Sequence, residues 1–383
     1  MFHARKALLS TTKNLERFLS THGNHLEINF ENKVLKYNYI WLRDHCRCEK
    51  CYNRKTFQIA SDINEIALDI KPTDCQKSGD NLKIKWQDGH ETVYSLPWLQ
   101  SLEFGDKSSK KQTVLWNKNS VGNFSDSKVE ANEILRKDNI GVTKLLSSIL
   151  KYGFGFVTGA NSTLESTEEI AKRVAFVEKT MFGEMWEVST DYKYNDTAYT
   201  SIPLGVHTDN TYFTEASGLQ IFHILSHDGE GGETILVDGF NAAKNLELQH
   251  KECYDFLCNN PIESEYIDKD IHYNSIEPVL KVHPYTKELY QIRYNIYDRA
   301  NLTTINYEDI QQFYKSYKLL GMELNSTENQ WIFKLQPGTI VFIDNWRVLH
   351  GRTSFTGLRR LTGCYIGRGP WLSKAKAMGC KIY

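Results

Sequence analysis

The sequence predicts an α+β protein whose second half is rich in strands, and three observations carry that expectation. Helical spacing marks two stretches in the middle of the chain. Leu145, Leu146, Ile149 and Leu150 recur at a helical period and stop at Tyr152-Gly153, while Ile170, Val174 and Val177 do so within the charged run 165–178, which Ser166 or Thr167 can cap. Runs of strand length dominate elsewhere, as in Leu26-Glu27-Ile28-Asn29-Phe30 and Phe154-Gly155-Phe156-Val157-Thr158. The third observation is length: 383 residues allow one large domain and a small one.

Hydrophobic residues make up 40% of the chain and charged ones 24%, the proportions of a globular protein in water. A net charge of -1 argues against nucleic acid or an anionic membrane as partner. No apolar run approaches the roughly 20 residues of a membrane span. The eight cysteines cluster once and otherwise scatter, which fits a reducing compartment better than a disulfide framework. Residues 1–24 begin with Arg5, Lys6 and Lys13, hydroxyl residues and no early acid. Two readings stay open for them: a transit peptide, placing the protein in the mitochondrial matrix, or a basic N-terminal helix on a cytoplasmic protein.

Residues 25–106 are expected to form a small β-rich domain. Strands over 26–30 and 33–37 lead into Cys46-Arg47-Cys48-Glu49-Lys50-Cys51, whose spacing brings three thiolates within reach of one tetrahedral ion. His90, on a turn after the strand Leu82–Trp86, is the candidate fourth zinc ligand; His45 competes, but its adjacency to Cys46 is awkward. Residues 107–140, opening with a lysine- and serine-rich stretch, are expected as a linker to a domain spanning 141–383. Within it, Trp331–Leu335 and Thr339–Ile343 are expected to pair as a hairpin about Pro337-Gly338, and Leu289–Asn295 to form another strand.

The chemistry centres on His207-Thr208-Asp209. Alternate residues of a strand share a face, so an imidazole and a carboxylate would reach one metal together. His350, in Asp344-Asn345-Trp346-Arg347-Val348-Leu349-His350-Gly351-Arg352, can complete a facial triad suited to non-haem Fe(II). Arg359 lies where a returning strand can aim a guanidinium fork at a carboxylate, and Thr234 can add a hydroxyl. Phe182, Trp186 and Tyr199 belong to an aromatic concentration before His207, which suits a quaternary ammonium held by cation–π attraction and equally suits a core.

These stretches, with Trp41-Leu42-Arg43-Asp44, Gly231–Phe240 and Leu361-Thr362-Gly363-Cys364-Tyr365, resemble the γ-butyrobetaine and trimethyllysine hydroxylase family of Fe(II)/2-oxoglutarate dioxygenases, from about residue 25 to the C-terminus. The resemblance implies a double-stranded β-helix, or distorted jelly roll, behind a small zinc domain, and a homodimer. It implies iron on His207, Asp209 and His350, 2-oxoglutarate on Arg359 and Thr234, O2 as oxidant and ascorbate as reductant. It implies a trimethylammonium cage of Phe182, Trp186, Tyr199 and Tyr365, with Asn295 at the substrate carboxylate. Asp196, where the butyrobetaine enzymes carry Asn, can pair with an α-ammonium. The expected activity is therefore C3 hydroxylation of trimethyllysine, the first step of carnitine biosynthesis; γ-butyrobetaine hydroxylation is the near alternative and an inactive metal-stapled scaffold the distant one.

Overall fold

A computed structural model describes residues 18–30, 33–102, 104, 113–122, 124–188 and 200–381. Asp196, Tyr199 and residues 1–17 lie outside the described residues, as do 107–112 and Asn123 of the expected linker. The chain divides into two compact units, Met1–Lys107 and Ser108–Tyr383.

The described residues of the first unit form two three-stranded antiparallel sheets, besides a short pairing of Tyr52–Asn53 with Gln58–Ile59. β1 (Leu19–Thr21), β2 (His25–Phe30) and β3 (Lys33–Asn38) form one; β4 (Pro72–Ser78), β5 (Asn81–Trp86) and β6 (Glu91–Ser95) form the other. Alternation decides which faces turn inward: Leu26 and Ile28 of β2 and Leu82, Ile84 and Trp86 of β5 are buried while their neighbours are not. A short helix α1 (Tyr39–Asp44), capped by the Asn38 side chain on the Ile40 amide, leads the chain from β3 to the cysteines.

The second unit carries two facing sheets. In chain order its principal elements are β7 (Lys128–Glu130), α2 (Ile140–Tyr152), β8 (Phe154–Thr158), α3 (Leu164–Val174), β9 (Met185–Val188), β10 (Leu204–His207), β11 (Leu219–His227) and β12 (Thr234–Asp238). There follow α4 (Gly239–Gln249), α5 (Lys251–Asn259), β13 (Ile262–Asp268), β14 (Ile271–Glu277), β15 (Leu280–Val282), β16 (Leu289–Ile292), α6 (Ile310–Leu324), β17 (Trp331–Phe333), β18 (Ile340–Asp344), β19 (Val348–Arg352), β20 (Arg359–Ile366) and α7 (Arg368–Ala377). The larger sheet runs β9-β20-β11-β18-β8-β7 and the smaller β10-β19-β12-β17. Helix α2 ends as the sequence suggests, on Gly153 with φ 83. Helix α3 is capped one turn earlier than expected, by Thr163 on the Ser166 amide.

Two expectations are corrected. Trp331–Phe333 and Ile340–Asp344 are not a hairpin: β17 pairs with β12 in the small sheet and β18 with β11 and β8 in the large one, so the Gly338 turn (φ 80) carries the chain between sheets. Apolar runs either side of a Pro-Gly turn look alike in both arrangements. Within the stretch expected as linker, Trp116 is buried and Lys128–Glu130 pairs in parallel with β8, so this part of the chain packs on the large sheet of its unit.

Candidate active site

The iron-ligand candidates come from neighbouring strands of the small sheet. In the β10–β19 ladder His207 stands opposite His350, and on the other side of β19 Leu236 of β12 stands opposite it. The ladder places the two imidazoles with ring centroids 4.4 Å apart. Asp209 arrives differently from expectation. β10 ends at His207, and the chain turns through Asn210 (φ 59) rather than continuing as a strand. The turn still points the carboxylate at the histidines: Asp209 Oδ1 is 3.2 Å from His207 Nε2 and 3.7 Å from His350 Nε2. Cis ligands about 2.1 Å from one octahedral ion stand about 3 Å apart, so these groups need little adjustment to share one.

Surrounding groups set the ligands' orientation. His207 Nδ1 lies 2.8 Å from the Gly205 carbonyl, which selects the tautomer that leaves Nε2 as a ligand. The Tyr365 hydroxyl donates to Asp209 Oδ2 at 3.0 Å. Asn345 holds the Asp209 backbone from both sides, accepting from its N–H at 2.8 Å and donating to its carbonyl at 3.0 Å. Burial opposes ionisation of Asp209, but the neighbouring His350 and His207 outweigh it and hold the carboxyl at about 2. Burial likewise pushes His350 down to about 3, so it is neutral at physiological pH. An ionised carboxylate and a neutral imidazole are what a divalent cation requires of its ligands. Among the described residues, His350 Nδ1 has no hydrogen-bond partner although it is buried.

A pocket of about 1080 Å³, its mouth included, opens on these three side chains. Both sheets line it, because residues two apart in each strand share a face: His350 and Arg352 from β19, Gln220 and Phe222 from β11, Arg359, Leu361 and Tyr365 from β20. Thr234, Phe182, Trp186 and Asn295 complete the set of expected residues brought together here. Trp186 and Tyr365 have ring centroids 6.0 Å apart. Trp186 fits because its ladder partner is Gly363, where a Cβ would lie 2.2 Å from the Ile221 carbonyl and 2.3 Å from the indole.

Arg359 is buried, and it makes no ion pair among the described residues; burial and the nearby Arg352 charge lower it to about 10, so it remains cationic at pH 7. A buried cation without an acid is costly unless a ligand supplies the anion. Gln220 is fully buried and both its amide atoms lack a partner among the described residues, a second polar group open to a ligand or water. These features fit a small dicarboxylate beside a metal. Sequence reasoning missed Gln220, Arg352, Asn345 and Asp298. Arg352 was within reach, since strand alternation from His350 puts it on the same face.

The first unit holds a separate cluster. His90 Nε2 lies 3.3, 3.6 and 3.5 Å from the sulfurs of Cys46, Cys48 and Cys51. Bond lengths of about 2.0 Å to nitrogen and 2.3 Å to sulfur give about 3.5 Å between such ligands in a tetrahedral zinc site. His45 is turned away, stacked on Trp41 with Nδ1 at the Trp41 carbonyl.

The sequence pattern of the taurine catabolism dioxygenase TauD, TfdA family matches residues 117–365, the stretch that carries both sheets and the whole pocket. The chain belongs to that family. As a TauD/TfdA member it is a 2-oxoglutarate-dependent dioxygenase, and Fe(II) and 2-oxoglutarate are its cofactor and co-substrate. Residues 18–100 match the γ-butyrobetaine hydroxylase-like N-terminal family. Curated relatives include mitochondrial trimethyllysine dioxygenase of Homo sapiens, 40% identical over 97% of this chain and 89% of that protein. The Rattus norvegicus protein of the same name is 42% identical over 94% and 86%, and the trimethyllysine dioxygenase of the yeast Meyerozyma guilliermondii 31% over 88% and 89%. Among solved structures, AAD-2 in complex with Mn(II) and N-oxalylglycine matches with a TM-score of 0.51 at 14% identity, covering 63% of this chain and 95% of its own, a likeness of fold. The double-stranded β-helix expected from the sequence is thus the fold of this TauD/TfdA member.

Proposed function

We propose that this dioxygenase hydroxylates C3 of trimethyllysine. What carries the reading is the convergence of metal-ligand side chains, an unpaired buried guanidinium and facing aromatic rings in one pocket, in a chain with trimethyllysine dioxygenases as full-length relatives. His207, Asp209 and His350 would hold Fe(II), which with 2-oxoglutarate as co-substrate would supply oxidation by O2, with succinate and CO2 as co-products. The rest is positioning by the chain itself. Arg359, with Thr234 beside it in the pocket, anchors the distal carboxylate of 2-oxoglutarate. Phe182, Trp186, Tyr365 and Tyr199 offer aromatic faces to the trimethylammonium, which has no N–H to donate and prefers such faces to water. Asp196 pairs with the α-ammonium, Asn295 serves the same polar end of the substrate, and the ring faces of the pocket exclude water.

The same reading includes ascorbate as reductant, a homodimer, residence in the mitochondrial matrix, and zinc on Cys46, Cys48, Cys51 and His90 as a staple of an N-terminal domain. Names of the vertebrate relatives support the compartment, and the sulfur–nitrogen distances support the zinc. Succinate formation with Fe(II), ascorbate, O2 and 2-oxoglutarate tests the reading, with trimethyllysine and γ-butyrobetaine offered separately. Coupling to trimethyllysine is expected; coupling to γ-butyrobetaine alone would reassign the substrate and leave the iron site standing.

A further inference from the structure

We infer that Phe355 is a positioning residue for the co-substrate, its ring carrying the Arg359 guanidinium in the orientation that receives the distal carboxylate of 2-oxoglutarate. This rests on the proposed role of Arg359 as the 2-oxoglutarate anchor. Residues 353–358 join β19 to β20 and so cross from the small sheet to the large one. Phe355 turns inward there, 8% exposed, between the two buried arginines that end one strand and begin the next, Arg352 and Arg359. The guanidinium carbon of Arg352 lies over the Phe355 ring at 4.8 Å from its centroid, and that of Arg359 at 5.5 Å. Both distances allow cation–π attraction, which strengthens where water is excluded.

The two arginines are held differently. Arg352 Nη2 donates to the Thr200 and Ile202 carbonyls at 2.7 and 3.0 Å. No hydrogen bond of the Arg359 guanidinium is found among the described residues, and its Nε is buried. Before a carboxylate arrives, the ring face is therefore what holds Arg359. The ring is itself fixed from behind by the Gly231-Gly232 turn. A Cβ on Gly232 (φ 68) would lie 3.3 Å from Phe355 Cβ and 3.5 Å from Arg359 Cδ, so a larger residue would press on both. His227, the ladder partner of Arg359, sets its ring perpendicular to that of Phe355 with centroids 5.7 Å apart. Lys334 Nζ donates to His227 Nδ1 at 3.0 Å, which leaves the Nε2–H to donate to the Thr356 carbonyl at 3.0 Å and pins the residue after Phe355. Phe355 is not part of the pocket wall, so it acts through Arg359, whose preorganisation spares the dicarboxylate the cost of ordering it.

The competing explanation is that Phe355 only fills the space beside the two arginines. Replacing it with difluoro- and trifluorophenylalanine separates the two, because fluorine withdraws negative charge from the ring face and changes the shape little. The experiment is calorimetric binding of the 2-oxoglutarate analogue N-oxalylglycine to the Mn(II)-loaded protein, with Phe355→Leu and Arg359→Gln alongside. Affinity should fall stepwise with fluorination and by about three- to thirtyfold in Phe355→Leu, with Mn(II) affinity kept within about twofold. In turnover the loss should appear in the KM for 2-oxoglutarate and not in kcat. Fluorinated proteins that bind the analogue as tightly as wild type would make Phe355 a space filler and overturn the inference alone, even where Phe355→Leu binds poorly or fails to fold. Unchanged affinity in Arg359→Gln would overturn the anchor role of Arg359 and this inference together.

Discussion

Arg359 stays charged at neutral pH although burial and Arg352 lower it to about 10, and among the described residues no acid pairs with it. If its anion is 2-oxoglutarate, Arg359→Gln should raise the KM for 2-oxoglutarate by about tenfold or more, with Mn(II) binding retained. Steady-state kinetics and a metal titration read the two effects separately. Asn345 acts on the other side of the site, bracketing the Asp209 backbone and donating to the Ser217 carbonyl at 3.0 Å. Asn345→Ala should weaken Mn(II) binding by about tenfold, measured by paramagnetic resonance without any turnover. His207, Asp209, His350 and Arg359 were legible as residue types able to share a metal and a carboxylate. Asn345 was not, because a backbone clamp has no sequence pattern of its own, and Asp298 was not, because its place in the wall depends on a loop tied to β13.

Strands carry most of the site, and alternation was legible in β2 and β5, each buried on one face. Pairing was not legible, since β17 and β18 read alike as two arms of a hairpin and lie in different sheets. The turn between those sheets is fixed by a buried histidine. His223 Nε2 accepts from the Gly338 amide at 3.2 Å, and its Nδ1 lies 2.8 Å from Thr167 Oγ1, whose hydroxyl donates to the Thr163 carbonyl at the start of α3. That arrangement needs a neutral ring, and burial lowers His223 from 6.5 to about 4. At pH 7 folded and unfolded forms are both neutral. Between pH 6.5 and about 4 the unfolded chain takes up a proton that the folded one refuses, so stability falls as pH falls through that window, by up to roughly 3 kcal/mol. The stability advantage of the wild type over His223→Gln, from denaturant unfolding, should shrink from pH 7 to pH 4; an advantage that is constant or grows would contradict the assignment.

At the scale of the molecule, the two compact units carry different chemistry, thiolates in one and the dioxygenase pocket in the other. The thiolate cluster was legible from spacing alone, and His90 from its turn; the extent of the linker was not, because Trp116 and Lys128–Glu130 carry no signal that distinguishes a covered segment from a tether. Cys51→Ser should abolish one equivalent of bound zinc by elemental analysis and lower the melting temperature of the first unit, since a structural zinc contributes directly to folding. Retention of zinc by that variant would remove Cys51 from the ligand set.

Coupled oxidation of trimethyllysine can be followed by product analysis under isotopically labelled O2. Purified protein with Fe(II), ascorbate, 2-oxoglutarate and trimethyllysine should yield hydroxytrimethyllysine bearing the label at C3, matched by an equal amount of succinate. Succinate without labelled product, or hydroxylation at another carbon, would mean that this pocket does not hold trimethyllysine with C3 at the iron.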